Sequence, residues 1–196
     1  MTRPFAITYD YLCPFARNAV ESVVEGLREG KDWQVRFLPF SLAQVHVAEG
    51  ETPVWERPVG DPASSGVLAL AWGIAVREAF PECTLDFHMG AFAARHDEGR
   101  DINDEAVLRE VAASVDLEPD AVVERVATGE PMAILGREHV EAVTSWEVFG
   151  VPTFIEGEEA VFARLMERGN VGDVEQVLGL IGETRLNEFK RTRIPR

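Results

Sequence analysis

The sequence predicts an α/β fold in which a long helical segment separates two groups of strands. Short runs rich in β-branched and aromatic residues occur near both ends of the 196-residue chain, and such runs favour strands. Between them, residues 65–146 carry apolar side chains at three- and four-residue spacing, the period of helices packed on one side. We therefore expect residues 1–64 and 147–196 to form one domain, with residues 65–146 as a helical insertion.

The N-terminal part predicts a parallel strand–helix–strand unit. Residues 4–9 are apolar and rich in strand-forming types, and an apolar stripe at helical spacing runs from Phe15 to about Gly30. A second strand is expected over residues 35–38. Because strands joined through a helix form a right-handed parallel crossover, these two strands should lie side by side.

The middle and the C-terminal part carry further signals. Four helix starts are predicted from an asparagine cap or a proline in the first turn, at Asn103, Pro119, Pro131 and Asn170. Residues 153–155 and 160–163 are short strand-like runs, and the glycine-containing turn between them is typical of a hairpin. We interpret the basic residues 190–196 as a solvated tail.

Cys13 falls at the junction of the first strand and the first helix. Pro14 follows it, and proline is favoured in a first helical turn. The free N–H groups and the positive end of the helix dipole stabilise a thiolate at such a position, so we expect Cys13 to be a reactive nucleophile. The alternative is a buried packing residue, because free cysteine is among the most buried types. We expect Arg17, one turn further on, to be exposed and solvated.

Two motifs together resemble a known family. The first is a strand followed by Cys13-Pro14 and a helix, and the second is Gly-Val-Pro-Thr-Phe at residues 150–154. On either side of a helical segment they resemble the DsbA-like thioredoxin-fold family, whose cytoplasmic branch includes oxidoreductases, kappa-class glutathione transferases and 2-hydroxychromene-2-carboxylate isomerases. Residues 33–42 and 92–117 resemble further parts of it. The resemblance implies a thioredoxin-like fold with a large all-helical insertion.

The resemblance also implies which residues form the site. Cys13 would be the catalytic residue. The family places a cis-proline loop against this cysteine, and the backbone before that proline can pair with an extended substrate. The residues implied to bind substrate are Pro14, Phe15, Ala16, Val151, Pro152 and Thr153.

Position 16 departs from the redox members of the family. They carry Cys-x-x-Cys, whereas this chain has alanine where the second cysteine of that motif would stand. In dithiol chemistry one thiolate attacks and the second cysteine resolves the mixed disulfide, a step that Ala16 cannot perform. Attack by Cys13 and release by an external thiol remain. Cys83 is a weak candidate for a resolving residue. The transferase and isomerase branches carry serine near this site and use a bound small thiol.

Charge and composition exclude several classes of function. The formal charge of −15 argues against binding nucleic acid or an anionic membrane. His88 and His96 lack the further ligands of a tetrahedral metal site, so we expect no metal. With two distant cysteines and no apolar leader at the start of the sequence, we expect a reducing cytoplasm.

Three functions follow from these observations. The first is a cytoplasmic DsbA-family thiol-disulfide oxidoreductase with one active-site cysteine, forming mixed disulfides with a small thiol or a protein. The second is an isomerase or transferase acting through a bound small thiol. The third is a non-catalytic binding scaffold. We expect no tightly bound cofactor and leave open glutathione or mycothiol as the small thiol, the latter because 17 arginines against 2 lysines indicate a GC-rich genome. A homodimer is also left open.

Overall fold

A four-stranded mixed sheet forms the centre of the molecule, for which a computed structural model describes residues 2–58, 60–183, 185 and 187. The strand order is β2-β1-β3-β4. Strands β1 and β2 run parallel, and β3 is antiparallel to both β1 and β4. The strands are β1 (Arg3–Tyr9), β2 (Trp33–Pro39), β3 (Thr153–Glu156) and β4 (Glu159–Phe162).

The helices cover the sheet and fill the segment between β2 and β3. In chain order they are α1 (Pro14–Arg28), α2 (Leu42–Val45), α3 (Val67–Ala79), α4 (Thr84–His96), α5 (Glu105–Ser114), α6 (Pro119–Ala127), α7 (Glu130–Trp146) and α8 (Val171–Ile181). Because α3 to α7 form an all-helical insertion in an α/β fold, the predicted fold class is confirmed. The domain boundaries stay a prediction, and the basic residues 190–196 lie outside the described residues.

Strand β1 lies inside the sheet and leads to the Cys13 turn. It pairs with β2 along its whole length, up to Tyr9 opposite Pro39. On its other side Ile7 faces Phe154 of β3. Both Ile7 and Tyr9 are buried, as expected for a strand with neighbours on both sides. The chain therefore leaves the sheet from a buried strand that ends four residues before Cys13.

Helix α3 forms the centre of the insertion. Its residues from Val67 to Val76 are all buried, which explains why this stretch is apolar on every side. Gly73 lets the helix approach the strand end, because a Cβ atom there would overlap the hydroxyl of Tyr11. A substitution at Gly73 would therefore displace the segment that leads to Cys13.

Helix starts follow the predicted capping residues with one shift. Helix α6 begins at Pro119, and the Asn170 side chain accepts a hydrogen bond from the backbone of Asp173 at the start of α8. At α5 the cap is Asp104 instead of Asn103. The Asn103 side chain instead accepts a hydrogen bond of 2.7 Å from the backbone N–H of Gly66. Asn103 thus joins α5 to the start of α3.

Candidate active site at the start of α1

The turn between β1 and α1 is fixed by a buried carboxylate. The backbone N–H of Cys13 donates to the carbonyl of Asp10 at 3.0 Å. The Asp10 side chain accepts from the backbone N–H of Leu12 at 2.9 Å and from that of Leu42 at 2.8 Å. Burial raises the pKa of Asp10 to about 6, against the lowering effect of these two bonds. Asp10 therefore joins the Cys13 turn to the start of α2.

Cys13 is the N-cap residue of α1. Its sulfur accepts a hydrogen bond from the backbone N–H of Ala16 at 3.4 Å, which satisfies one of the free donors of a helix N-terminus. The thiol in turn lies 3.5 Å from the carbonyl oxygen of Val151, to which it donates. Only 8% of the residue is exposed. The sulfur thus sits between a helix start and the loop before β3.

The expected acidity of Cys13 is not what the structure favours. Burial raises the pKa of the Cys13 thiol, while the backbone N–H groups of Ala16 and Phe15 lower it. The charge of Asp10 acts in the raising direction, and that of Arg164 in the lowering direction. The prediction of a stabilised thiolate is therefore wrong in direction, because desolvation outweighs the helix start.

The loop before β3 is held against Cys13 by two threonines. The backbone N–H of Thr153 donates to the Thr8 hydroxyl at 2.8 Å, and the Thr153 hydroxyl donates to the carbonyl of Gly150 at 2.8 Å. The peptide bond between Val151 and Pro152 is cis. These bonds fix the Val151 carbonyl opposite the sulfur.

The residues implied to bind substrate meet at this place but differ in access. The side chains of Val151, Pro152 and Thr153 are buried. Ala16 is also fully buried, so it offers its backbone N–H to the sulfur and no surface to a ligand. Pro14 is exposed and Phe15 is half-buried, which leaves these two side chains on the open side of Cys13.

Arg17 is buried in an ion-pair network, so the prediction of an exposed arginine is wrong. Its guanidinium donates to Glu21 at 2.9 Å and also to Asp97, which follows α4. Arg168 donates to the same two carboxylates, at 2.6 Å to Glu21 and 3.2 Å to Asp97. Two cations and two anions therefore join α1, the end of α4 and the segment before α8. Burial of Arg17 is tolerated because both partners are anionic.

The connector between β4 and α8, residues 163–170, contributes a residue that the sequence did not indicate. Arg164 is exposed, and its guanidinium carbon lies 5.2 Å from the ring centre of Phe15 and 5.6 Å from that of Phe162. Phe149, which is 69% exposed, lies next to Phe162 with ring centres 5.1 Å apart. The available signal was an arginine two residues after an aromatic residue at a strand end.

The histidines of α4 support the turn. His88 lies 2.8 Å from the Tyr11 hydroxyl, and His96 lies 2.9 Å from the Tyr11 carbonyl oxygen. Both histidines therefore belong to the packing behind Cys13.

Among the residues that the structure describes, no group of three or more possible ligands could hold a metal ion. No described helix is long and apolar enough to cross a membrane.

Cys83 directly precedes α4 and is a half-buried free thiol. No hydrogen bond joins the described Cys83 to Cys13, whose sulfur contacts the backbone of Ala16 and of Val151. A resolving role for Cys83 stays a prediction.

Comparison with protein families identifies the chain. Residues 6–168 match the model of the DSBA-like thioredoxin domain. The chain belongs to the DsbA-like family. Both Cys13 and the Val151–Pro152 loop lie within the matched residues. A search among curated proteins found no significant match.

Solved structures share the fold of this DsbA-like chain at low sequence identity. A putative protein disulfide isomerase from Nitrosomonas europaea is 12% identical, with a TM-score of 0.66 over 94% of this chain and 100% of that one. The cytosolic disulfide reductase DsbM from Pseudomonas aeruginosa, with GSH, is 18% identical, with a TM-score of 0.64 over 93% and 100%. A 2-hydroxychromene-2-carboxylate isomerase is 16% identical, with a TM-score of 0.64 over 93% and 97%. The DsbA-like fold therefore occurs with both disulfide and isomerase chemistry.

Proposed function

We propose that the protein is a thiol-disulfide oxidoreductase with a single active-site cysteine, Cys13. The observation that carries this proposal is the placement of the Cys13 sulfur at the start of α1 and opposite the Val151 carbonyl. The position where a second active-site sulfur would stand is a fully buried alanine, Ala16. The chemistry available to this site is exchange through a mixed disulfide.

The exchange needs an external thiol in its second half. The Cys13 thiolate attacks one sulfur of a disulfide, the new bond joins Cys13 to that sulfur, and the other sulfur leaves as a thiolate that takes up a proton. A small thiol, as thiolate, then attacks the substrate sulfur of the mixed disulfide, forms a new disulfide with it and releases the Cys13 sulfur as a thiolate. The external thiol supplies the electrons, so the protein ends as it began.

The surroundings of Cys13 suit an external partner. Pro14 and Phe15 lie on the open side, and the Val151 backbone faces the sulfur from the other side. A small thiol or an extended protein segment would approach from the side of Pro14 and Phe15. Both described cysteines are free thiols, which fits work in a reducing cytoplasm with a low-molecular-weight thiol as a transient reactant instead of a bound cofactor.

An isomerase or transferase is the second candidate function. The raised pKa of Cys13, caused by burial, leaves less thiolate at neutral pH and favours a bound small thiol as the reacting group. In that case Cys13 would contribute packing and a weak hydrogen bond, and its sulfur would not be essential.

Turnover with and without the sulfur separates the two candidates. The assay follows glutathione-dependent reduction of a small disulfide by the wild type, Cys13→Ser and, as matched control, Cys83→Ser. We expect Cys13→Ser to abolish exchange and Cys83→Ser to retain it. Undiminished exchange in Cys13→Ser would refute the proposal. Conversion of a candidate substrate such as 2-hydroxychromene-2-carboxylate that needs added thiol but survives Cys13→Ser would establish the second candidate.

A further inference from the structure

Arg164 lies in a defined position over the ring of Phe15, two residues after Cys13. Its guanidinium is placed between the rings of Phe15 and Phe162, at 5.2 and 5.6 Å from their centres, within the range of cation–π attraction. Phe15 belongs to α1 immediately after the Cys13-Pro14 pair, and Phe162 ends β4. The guanidinium therefore bridges the two parts of the chain that border the site.

The backbone on both sides of Arg164 is fixed. The N–H of Ala163 donates to the carbonyl of Pro152 at 3.2 Å. The carbonyl of Leu165, a buried residue, accepts from the side chain of Asn18 at 2.9 Å. One neighbour is thus bonded to the loop opposite Cys13 and the other to α1. These two bonds hold the backbone of residues 163–165 between the loop before β3 and α1.

The charge of Arg164 has no anionic partner in the described part of the chain. Arg17 and Arg168 are paired with Glu21 and Asp97, whereas the Arg164 guanidinium contacts only the rings of Phe15 and Phe162 among the described residues. The protein as a whole has a formal charge of −15, which repels anions. The unpaired charge of Arg164 acts to lower the pKa of the Cys13 thiol. It makes the surroundings of Cys13 locally positive on a protein that is negative as a whole.

We propose that Arg164, held between Phe15 and Phe162, is a specificity residue that binds a carboxylate of the thiol or disulfide reacting at Cys13. Guanidinium groups bind carboxylates through two parallel hydrogen bonds. This inference rests on the proposed function, which it narrows to acidic thiols. Glutathione carries carboxylates and fits. Mycothiol, a sugar thiol whose cysteine carboxyl is in an amide bond, carries none and does not fit.

A pair of alkylating reagents tests the charge preference. Iodoacetate and iodoacetamide attack the same sulfur with the same leaving group, but only iodoacetate carries a carboxylate. Each variant is made in a Cys83→Ser background, and labelling of Cys13 is followed by mass spectrometry. The ratio of the two rate constants cancels changes in thiolate fraction. We expect Arg164→Gln to lower the iodoacetate-to-iodoacetamide ratio by about threefold or more, the scale of one exposed ion pair.

Two further variants serve as controls. Arg164→Lys keeps the charge and should retain most of the ratio. Arg137→Gln removes an exposed arginine on α7 and should leave the ratio unchanged. An unchanged ratio in Arg164→Gln would overturn the inference while leaving the proposed function intact. A Cys13 that neither reagent labels in the native protein would overturn both.

The same variants can be tested with a natural thiol. The rate of mixed-disulfide formation is measured with glutathione disulfide and with its fully esterified form, which has the same disulfide but no carboxylates. We expect the wild type to prefer the acid form and Arg164→Gln to lose that preference. Equal preference in wild type and Arg164→Gln would contradict a carboxylate site at Arg164.

Discussion

The thiol of Cys13 donates a hydrogen bond of 3.5 Å to the carbonyl oxygen of Val151, a residue 138 positions later in the chain. This contact joins the start of α1 to the loop before β3. It also favours the protonated sulfur, because a thiolate could not donate to the carbonyl and would face its partial negative charge. Burial acts in the same direction. The site therefore holds the Cys13 sulfur in a fixed position without making the thiol strongly acidic.

The rate of alkylation of Cys13 should depend on pH as expected for a thiol with a raised pKa. Since burial raises the pKa of Cys13, the thiolate fraction should still be rising where a free cysteine, with a pKa of about 8.5, has half ionised. We expect the iodoacetamide rate to increase through that pH and not to level off near neutrality. The measurement uses Cys83→Ser, with mass spectrometric detection at each pH. A plateau below about pH 7 would show that the helix start dominates.

Introducing a second cysteine at position 16 should change the fate of the mixed disulfide. Ala16 is fully buried one helical turn from Cys13, with its backbone N–H 3.4 Å from the sulfur. In Ala16→Cys the new thiol can attack the mixed disulfide and release the small thiol as an intramolecular disulfide closes. Thiol titration and mass spectrometry after treatment with glutathione disulfide should show this internal disulfide. Persistence of the glutathione adduct would mean that the helix start cannot place two sulfurs in bonding geometry.

Arg17→Met should destabilise the fold. Glu21, which is 3% exposed, would lose one of its two cationic partners, and removing one member of a buried ion pair costs about 3 kcal/mol. Arg28→Met is the matched control on the same helix, since Arg28 pairs with Glu25 and Asp86 at exposed positions. The control should lose less than about 1 kcal/mol. Free energies of unfolding from urea titration decide the comparison, and equal losses would contradict a stabilising role for the buried network.

Asp10→Asn should change how stability depends on pH. Burial raises the pKa of Asp10 from the ordinary 3.8 to about 6, so between these values the folded protein binds a proton that the unfolded chain has lost. The contribution of Asp10 to the free energy of unfolding therefore falls as pH rises through this window, by about 3 kcal/mol. The wild type should lose stability relative to Asp10→Asn from pH 4 to pH 7 in urea titrations. Parallel stability curves for the two proteins would contradict this assignment.

Local sequence signals predicted the elements around the site. The strand–Cys-Pro–helix sequence places Cys13 at a helix start, and proline and asparagine mark the starts of α6 and α8 because capping depends on neighbouring residues alone. The Gly-Val-Pro-Thr-Phe motif placed the second half of the site through its resemblance to a family. These predictions need no knowledge of the tertiary structure.

Properties that depend on distant partners could not be predicted in this way. The burial of Arg17 depends on Asp97, 80 positions later, and the only local signal was Glu21 at the i+4 position. The raised pKa of Cys13 depends on its burial beneath the Val151 loop. Arg164 lies near Cys13 only because β4 brings the chain back to Phe15. A contact between residues so far apart in the sequence leaves no local signal.

The most direct test of the central claim is whether Cys13 forms a reversible mixed disulfide. Cys83→Ser is incubated with glutathione disulfide at mildly alkaline pH and analysed by intact mass and peptide mapping, beside the variant in which both cysteines are serine. We predict one glutathione adduct on Cys13, removed by added glutathione and absent from the double variant. An unmodified Cys13 under conditions that modify a free cysteine would contradict the account.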